Sequence, residues 1–92
     1  MIHSFSCELT KDLFESRAVR RFVNIERAAR RKLLQLHAVV RLLDLRIPPG
    51  NMLEALTGKR KGQHSIRINS QWRICFVWKE DGAYSVEIVD YH

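Results

Sequence analysis

Apolar residues in the first half of the chain recur at the spacing of a helix. Between residues 24 and 44 they step by four and three positions, as Ile25, Ala29, Leu33, Leu36, Val40 and Leu43. One face of an α-helix repeats every 3.6 residues, so this spacing predicts an amphipathic helix over residues 24–44. Asn24 is the predicted N-cap, because its side chain can accept a hydrogen bond from the first free backbone amides.

Two further elements are predicted before this helix and a break after it. A shorter helix is expected at about residues 10–18, with Thr10 as its cap and Leu9, Leu13 and Phe14 on one face. The opening MIHSF alternates and is predicted as an edge strand. The stretch PPGN at 48–51 ends the helical half, since proline cannot continue a helix and Gly-Asn favours a turn.

Beyond residue 51 the apolar period becomes two, which is typical of strands. Asp81-Gly82 predicts a hairpin between QWRICFVWK and YSVEIVDYH, and HSIRIN supplies the strand before them. One face of the longer strand carries Trp72, Ile74, Phe76 and Trp78, and the other carries Arg73, Cys75, Val77 and Lys79.

These elements predict one α+β domain over residues 1–92. Two N-terminal helices would pack on one face of a small antiparallel sheet and leave the other face open. On strand positions the open face would carry Arg67, Arg73 and Glu87.

Charge points to an anionic partner. The 92 residues include 16 Lys and Arg against 10 Asp and Glu, for a net charge of +6 and a pI near 9.9. Nucleic acid is the first expectation and a membrane surface the second. The chain has no apolar stretch of the ~20 residues that span a bilayer and no signal-peptide pattern at its start, so a soluble cytoplasmic protein is expected.

Cysteine and acidic residues suggest neither a disulfide framework nor a metal site. Cys7 and Cys75 are far apart and lack ligand spacing, and the carboxylates are scattered. Cys75, inside WRICFVW, is predicted as a small buried hydrophobe rather than a nucleophile.

Two basic clusters are candidates for contact with phosphates. The first holds seven cations within sixteen residues: Arg17, Arg20, Arg21, Arg27, Arg30, Arg31 and Lys32. Only Glu26 lies near them as a matching carboxylate, which favours an anionic partner over a merely solvated helix face. The second, which we call the basic loop, is residues 58–62, where Gly58 and Gly62 bracket three cations; its spacing is not that of a P-loop.

RNA cleavage needs no metal, because the ribose 2′-OH is a built-in nucleophile. An enzyme then has to supply a base for that hydroxyl, a cation for the charge on the phosphorane and an acid for the leaving 5′-oxygen. Arg73 can supply the cation, and His92 with Asp90 or Tyr91 can transfer protons.

Residues 53–92, LEALTGKRKGQHSIRINSQWRICFVWKEDGAYSVEIVDYH, resemble the C-terminal half of the HigB-type toxins, GraT-like members included, in the RelE/ParE superfamily. The opening MIHSF and the helix around Phe14 also agree. The resemblance implies a RelE-like fold and a bacterial toxin that cleaves mRNA in the ribosomal A site without a cofactor, leaving a 2′,3′-cyclic phosphate. It also implies a helix-turn-helix antitoxin of the HigA type as partner. Because a basic protein of this kind has to fit a ribosomal site, the free toxin is expected to be monomeric.

The resemblance assigns roles to individual residues. Arg73 matches the arginine that stabilises the phosphate. Asp90, Tyr91 and His92 match the catalytic stretch, and both Arg73→Ala and removal of His92 are expected to abolish growth arrest. RNA contacts are expected from the loop and the strand after it, at Lys59, Arg60, Lys61, His64 and Arg67. Some family members have His in place of Glu54 and Lys in place of Thr57.

Strand parity leaves the order within the last residues open. If Val86 and Ile88 face the helices, alternation places Asp90 and His92 on that same face and Tyr91 on the opposite face with Arg73. Either the strand ends before Asp90, or Tyr91 lies nearer the phosphate than His92. Two other functions also stay open: a gyrase poison on the same scaffold, as in the ParE branch, and a basic RNA-binding module without catalysis.

Overall fold

A four-stranded antiparallel sheet forms one layer of the molecule and two helices form the other. The computed structural model describes residues 1–91. Helix α1 is Glu8–Phe14 and helix α2 is Glu26–Ala38. The strands are β1 Glu54–Ala55, β2 His64–Arg67, β3 Trp72–Lys79 and β4 Gly82–Asp90, in the spatial order β1-β2-β3-β4. Single 3-10 turns cover Arg20–Phe22, Leu42–Arg46, Pro49–Asn51 and Gly58–Arg60.

The core lies between the helices and the sheet face that carries the even-numbered apolar residues. Leu33 and Leu36 of α2 meet this face and are fully buried. From the strands the core receives Ile66, Ile74, Phe76, Val86 and Ile88, with Trp72 and Trp78 partly buried at its edge. The predicted α+β class and the predicted inward face of β3 are therefore confirmed.

Helix α2 is shorter than predicted at both ends. It ends at Ala38, and Ile25, not Asn24, is its N-cap residue, without a side-chain cap. Because the chain leaves the helix after Ala38, the apolar phase shifts: Val40 is 82% exposed and Leu43 61% exposed, whereas Leu45 is buried. The prediction that the helix continues through Val40 and Leu43 is thus wrong. Both residues lie in the segment after α2, which packs on the core through Leu45 instead.

Helix α1 begins earlier than predicted and ends earlier. Thr10 is not its cap but lies inside it and is fully buried. The Thr10 hydroxyl oxygen accepts a hydrogen bond of 3.0 Å from the Ile88 amide, so it joins α1 to β4. Leu9 is 41% exposed and does not share the buried face with Leu13.

The N-terminal segment lies beside β4 without forming a full strand. Ile2 and Phe5 make isolated parallel bridges to Ala83 and Val86. Gly82 has φ +136, and the Met1 carbonyl occupies the place where a Cβ on residue 82 would lie. The predicted hairpin is present, with Glu80 and Asp81 between the paired residues Lys79 and Gly82.

Within residues 1–91 the helices are too short and too polar to cross a membrane.

Candidate active site

Arg73 lies at the centre of the sheet face that points away from the helices. It is paired with Arg67 across β2 and with Val89 across β4. Its Nε donates a hydrogen bond to the Ser65 hydroxyl at 2.7 Å, and its Nη2 donates to the Met52 carbonyl at 2.7 Å. No described residue accepts a hydrogen bond from Nη1. The guanidinium is therefore held in one orientation with donors left for a ligand.

The prediction that this face is open is wrong at its centre. Arg73 is 8% exposed, and Ser65 and Cys75 are fully buried. The cover comes from the segment between α2 and β2, which reaches the face through Met52, Glu54 and Arg60. A buried arginine with fixed partners is a better-defined anion site than a solvated one, because less side-chain freedom is lost on binding.

Tyr91 lies beside Arg73. Strand β4 continues to Asp90, and the Tyr91 amide still donates to the Gln71 carbonyl beyond it. The Arg73 guanidinium carbon is 5.8 Å from the centre of the Tyr91 ring, close enough for a cation–π contact. The strand therefore does not end before Asp90, and Tyr91 meets the arginine; the order of Tyr91 and His92 at a phosphate stays a prediction.

Asp90 is not brought to Arg73. It pairs with Trp72 across the strands, and its carboxylate accepts a hydrogen bond of 3.2 Å from the Gln71 side-chain amide. Alternation along β4 turns it to the opposite side from Tyr91. The predicted role of His92 lies outside the described residues.

Glu54 is a residue of this site that the sequence analysis did not assign. One of its carboxylate oxygens is 3.6 Å from Nη2 of Arg73, and its side chain is 52% exposed. The signal was present as a departure from the family pattern at this position. Its meaning was hidden because only the β1–β2 pairing brings Glu54 alongside Ser65 and thus to Arg73.

The basic loop holds one paired cation and two exposed ones. Nη1 of Arg60 donates to a Glu87 carboxylate oxygen at 2.9 Å and to the Gln63 side chain at 3.1 Å. The hydrogen bond to Glu87 raises the pKa of Arg60 above its ordinary value. Lys59 and Lys61 are exposed on either side of it.

Arg67 joins the site, but His64 does not. Arg67 stands opposite Arg73 on the same face, and its Nη1 lies 3.5 Å from the Met52 sulfur. His64 points to the helix side, where its ring stacks on Phe76 with 6.3 Å between centroids. Its Nδ1 is buried and has no hydrogen-bond partner in the described part of the chain. His64 therefore lies on the opposite face of the sheet from Arg67 and Arg73, and its contact with RNA stays a prediction.

Several members of the first basic cluster have protein partners: Lys32 donates a hydrogen bond to the Asn51 side chain, and Arg21 lies over the Trp72 ring. Arg17 pairs with Asp12 and Glu15. Arg30 pairs with Glu26 and donates to the Leu13 carbonyl at 3.1 Å, which joins α2 to the end of α1. More carboxylates meet this cluster than Glu26 alone. Arg27 and Arg31 are the exposed cations of α2.

Cys75 is buried on the sheet face that carries Arg73, Ser65 and Glu87, which we call the site face; it pairs with Ser65 on one side and Glu87 on the other. Burial raises the pKa of its thiol, because the charged thiolate would lose its hydration. The prediction of a structural rather than nucleophilic cysteine agrees with this environment. Across residues 1–91 no cluster of three or more His, Cys, Asp or Glu side chains is arranged to hold a metal ion.

Comparison with known proteins identifies the family. A family model described as the RelE-like toxin HigB of type II toxin–antitoxin systems matches residues 3–92. The chain belongs to this family. Among HigB relatives, Toxin HigB-1 of Vibrio cholerae serotype O1 is 50% identical over 60 residues, which is 65% of this chain and 63% of that protein.

A second relative is an uncharacterized protein of Haemophilus influenzae. It is 36% identical over 58 residues, which cover 63% of this chain and 57% of that protein. The match therefore spans less than two thirds of either relative. The resemblance to HigB-type toxins is confirmed at the level of the family.

Proposed function

We propose that this HigB-family toxin is a metal-independent endoribonuclease that cleaves mRNA in the A site of the ribosome and so arrests translation and growth. The observation that best supports this proposal is the geometry of Arg73. Ser65 and Met52 accept hydrogen bonds from its guanidinium and fix its orientation, whereas the donors of Nη1 remain available. A fixed, partly desolvated guanidinium suits a phosphate better than a flexible surface cation does.

The chemistry follows from the groups around that guanidinium. The 2′-oxygen attacks the adjacent phosphorus after losing its proton, a pentacoordinate phosphorane forms, and the bond to the 5′-oxygen breaks as that oxygen gains a proton. The products are a 2′,3′-cyclic phosphate and a free 5′-hydroxyl. Arg73 stabilises the charge on the phosphorane, as fixed donors do for oxyanions generally.

Proton transfer is assigned to the groups beside Arg73. The Glu54 carboxylate, 3.6 Å from the guanidinium, is suited to accept the 2′-OH proton. Tyr91 lies on the same face, and its hydroxyl is suited to donate a proton to the leaving 5′-oxygen. His92 belongs to the same proposed set, and Asp90, the last residue of β4, is proposed to orient the group that transfers the proton.

RNA binding is assigned to three cations around the site, the exposed Lys59 and Lys61 and the half-buried Arg67. Cations that neutralise phosphates bind through release of counterions, so their contribution falls with salt. The proposed partners are mRNA and the ribosome, with a helix-turn-helix antitoxin of the HigA type as inhibitor. The toxin is proposed to act in the bacterial cytoplasm as a monomer.

The test is to map the 5′ ends of cellular mRNA after brief expression of the protein. Codon-phased cleavage within reading frames is the expected result, and Arg73→Ala should remove it while Lys11→Ala, an exposed cation on α1, should not. DNA damage without mRNA cleavage would instead identify a gyrase poison and overturn the proposal. Growth arrest with neither outcome would indicate RNA binding without catalysis, which overturns it too.

A further inference from the structure

The basic loop presents three consecutive cations in different directions. Its 3-10 turn is closed by hydrogen bonds from the Arg60 amide to the Thr57 carbonyl at 3.3 Å and from the Lys61 amide to the Gly58 carbonyl at 3.1 Å. Gly58 and Gly62, with φ of +64 and +94, supply the left-handed backbone at the two ends. Arg60 turns toward the sheet, whereas Lys59 and Lys61 are exposed.

Glu87 meets Arg60 from the middle of β4. The two charged atoms are 2.9 Å apart, and the side chains are 32% and 29% exposed. Glu87 pairs across the sheet with Cys75, so its carboxylate stands near the centre of the site face and 27 residues along the chain from Arg60. The contact therefore joins a glycine-bracketed loop to the most extensively paired part of the sheet.

Arg60 differs in kind from its neighbours as a binder of phosphate. Its charge is neutralised by Glu87, and one of its donors is shared between Glu87 and Gln63. A phosphate would have to displace Glu87 to use this cation fully. Lys59 and Lys61 carry no such cost, because both are exposed and no ion pair of the described residues includes them.

We propose that Glu87 is a positioning residue: it holds Arg60 as an internal brace, so that the basic loop presents Lys59 and Lys61 to the RNA backbone. This rests on the proposed function, since the loop has to bind RNA for its placement to matter. Glu87 does not touch the reacting atoms. It acts through Arg60, and the substrate chemistry that the loop recognises is the phosphodiester backbone.

The two possible roles of Arg60 predict opposite effects of removing Glu87. If Arg60 contacts RNA directly, Glu87→Gln frees a cation, makes the protein one unit more positive and lowers KM. If Arg60 braces the loop, Glu87→Gln releases the loop and raises KM despite the added positive charge. The expected increase in KM is about two- to fivefold, the range for loss of a partly exposed ion pair, with kcat unchanged.

The experiment measures kcat and KM for mRNA cleavage on programmed ribosomes at several monovalent salt concentrations, for Glu87→Gln, Arg60→Gln, Lys59→Gln and Lys61→Gln. The last three each remove one positive charge, so they are matched. Lys59→Gln and Lys61→Gln should flatten the dependence of log(kcat/KM) on log salt by about 0.7 each. Arg60→Gln should raise KM without changing that slope.

Amide hydrogen exchange of the free protein measures how well ordered the basic loop is, and this measurement does not require RNA. Glu87→Gln and Arg60→Gln should both speed exchange at Lys61 and Gln63, and Lys59→Gln should not. Unchanged exchange in Glu87→Gln, or a lower KM, overturns the proposal. If both lysine variants cleave like the parent while exchange still rises in Glu87→Gln, the brace stands and the assignment of the loop to RNA fails.

Discussion

The Arg73 guanidinium carbon lies 5.8 Å from the centre of the Tyr91 ring, across the edge of the site face. This contact brings together the cation of β3 and the aromatic residue that follows β4. It depends on the antiparallel pairing of Arg73 with Val89, two residues before Tyr91, because alternation then returns Tyr91 to the same face. The strand register is therefore what assembles the site.

Arg73→Ala is expected to abolish growth arrest and to lower the cleavage rate by about 10²–10³, the range for loss of one charge-stabilising donor. It also leaves the buried Ser65 hydroxyl without its donor, so the free energy of unfolding should fall by about 1–3 kcal/mol. Thermal unfolding checks that the variant folds. Arg73→Lys keeps a cation but loses the fixed fork, and near-parental cleavage by it would contradict the need for guanidinium geometry.

Tyr91→Phe separates proton transfer from packing. The ring over Arg73 remains and only the hydroxyl is lost. If that hydroxyl protonates the leaving oxygen, kcat should fall by about 10²–10⁴ with KM little changed. Single-turnover cleavage on programmed ribosomes measures this. Full activity in Tyr91→Phe combined with loss in Tyr91→Ala would reduce Tyr91 to a packing residue.

Glu54→Gln removes the carboxylate beside Arg73 while keeping its size. The expected loss of cleavage rate is about 10²–10⁴ if Glu54 accepts the 2′-OH proton. Glu54→His should keep part of the activity with a pH profile moved toward neutral pH, since imidazole also accepts a proton. Unchanged activity in Glu54→Gln would remove this residue from the mechanism.

The arginines of α2 provide a matched pair for separating binding from folding. Arg31 is exposed, whereas Arg30 contacts Glu26 and the Leu13 carbonyl. Arg31→Gln should weaken association with the ribosome and flatten its salt dependence, without moving the unfolding midpoint. Arg30→Gln should lower the midpoint because it breaks the contact between α2 and α1. The reverse pattern would contradict this division.

The period-two half of the chain was predicted well because a strand face follows directly from alternation. The inward face of β3 and the placement of Tyr91 with Arg73 both come from parity. The helical half was predicted less well, since the periodic pattern through Val40 and Leu43 continues past the point where the helix ends. Neither Asn24 nor Thr10 caps a helix; for Thr10, the tertiary contact with Ile88 outweighs the local capping preference.

The parts of the site that the sequence analysis did not predict depend on contacts between segments that are distant along the chain. The contact between Glu54 and Arg73 joins residues 19 positions apart (73 − 54), and that between Arg60 and Glu87 joins residues 27 positions apart. No periodicity reports such pairs. The face on which His64 lies has the same origin, since its side of β2 is fixed by pairing with Phe76.

The central claim is that the mRNA itself supplies the nucleophile at the phosphate held by Arg73. The most direct measurement is cleavage, on programmed ribosomes, of an mRNA that carries a single 2′-deoxynucleotide at the scissile position. The account predicts that cleavage stops at that phosphodiester alone, and that the all-ribose message yields a 2′,3′-cyclic phosphate and a 5′-hydroxyl. Continued cleavage at the substituted position would contradict it.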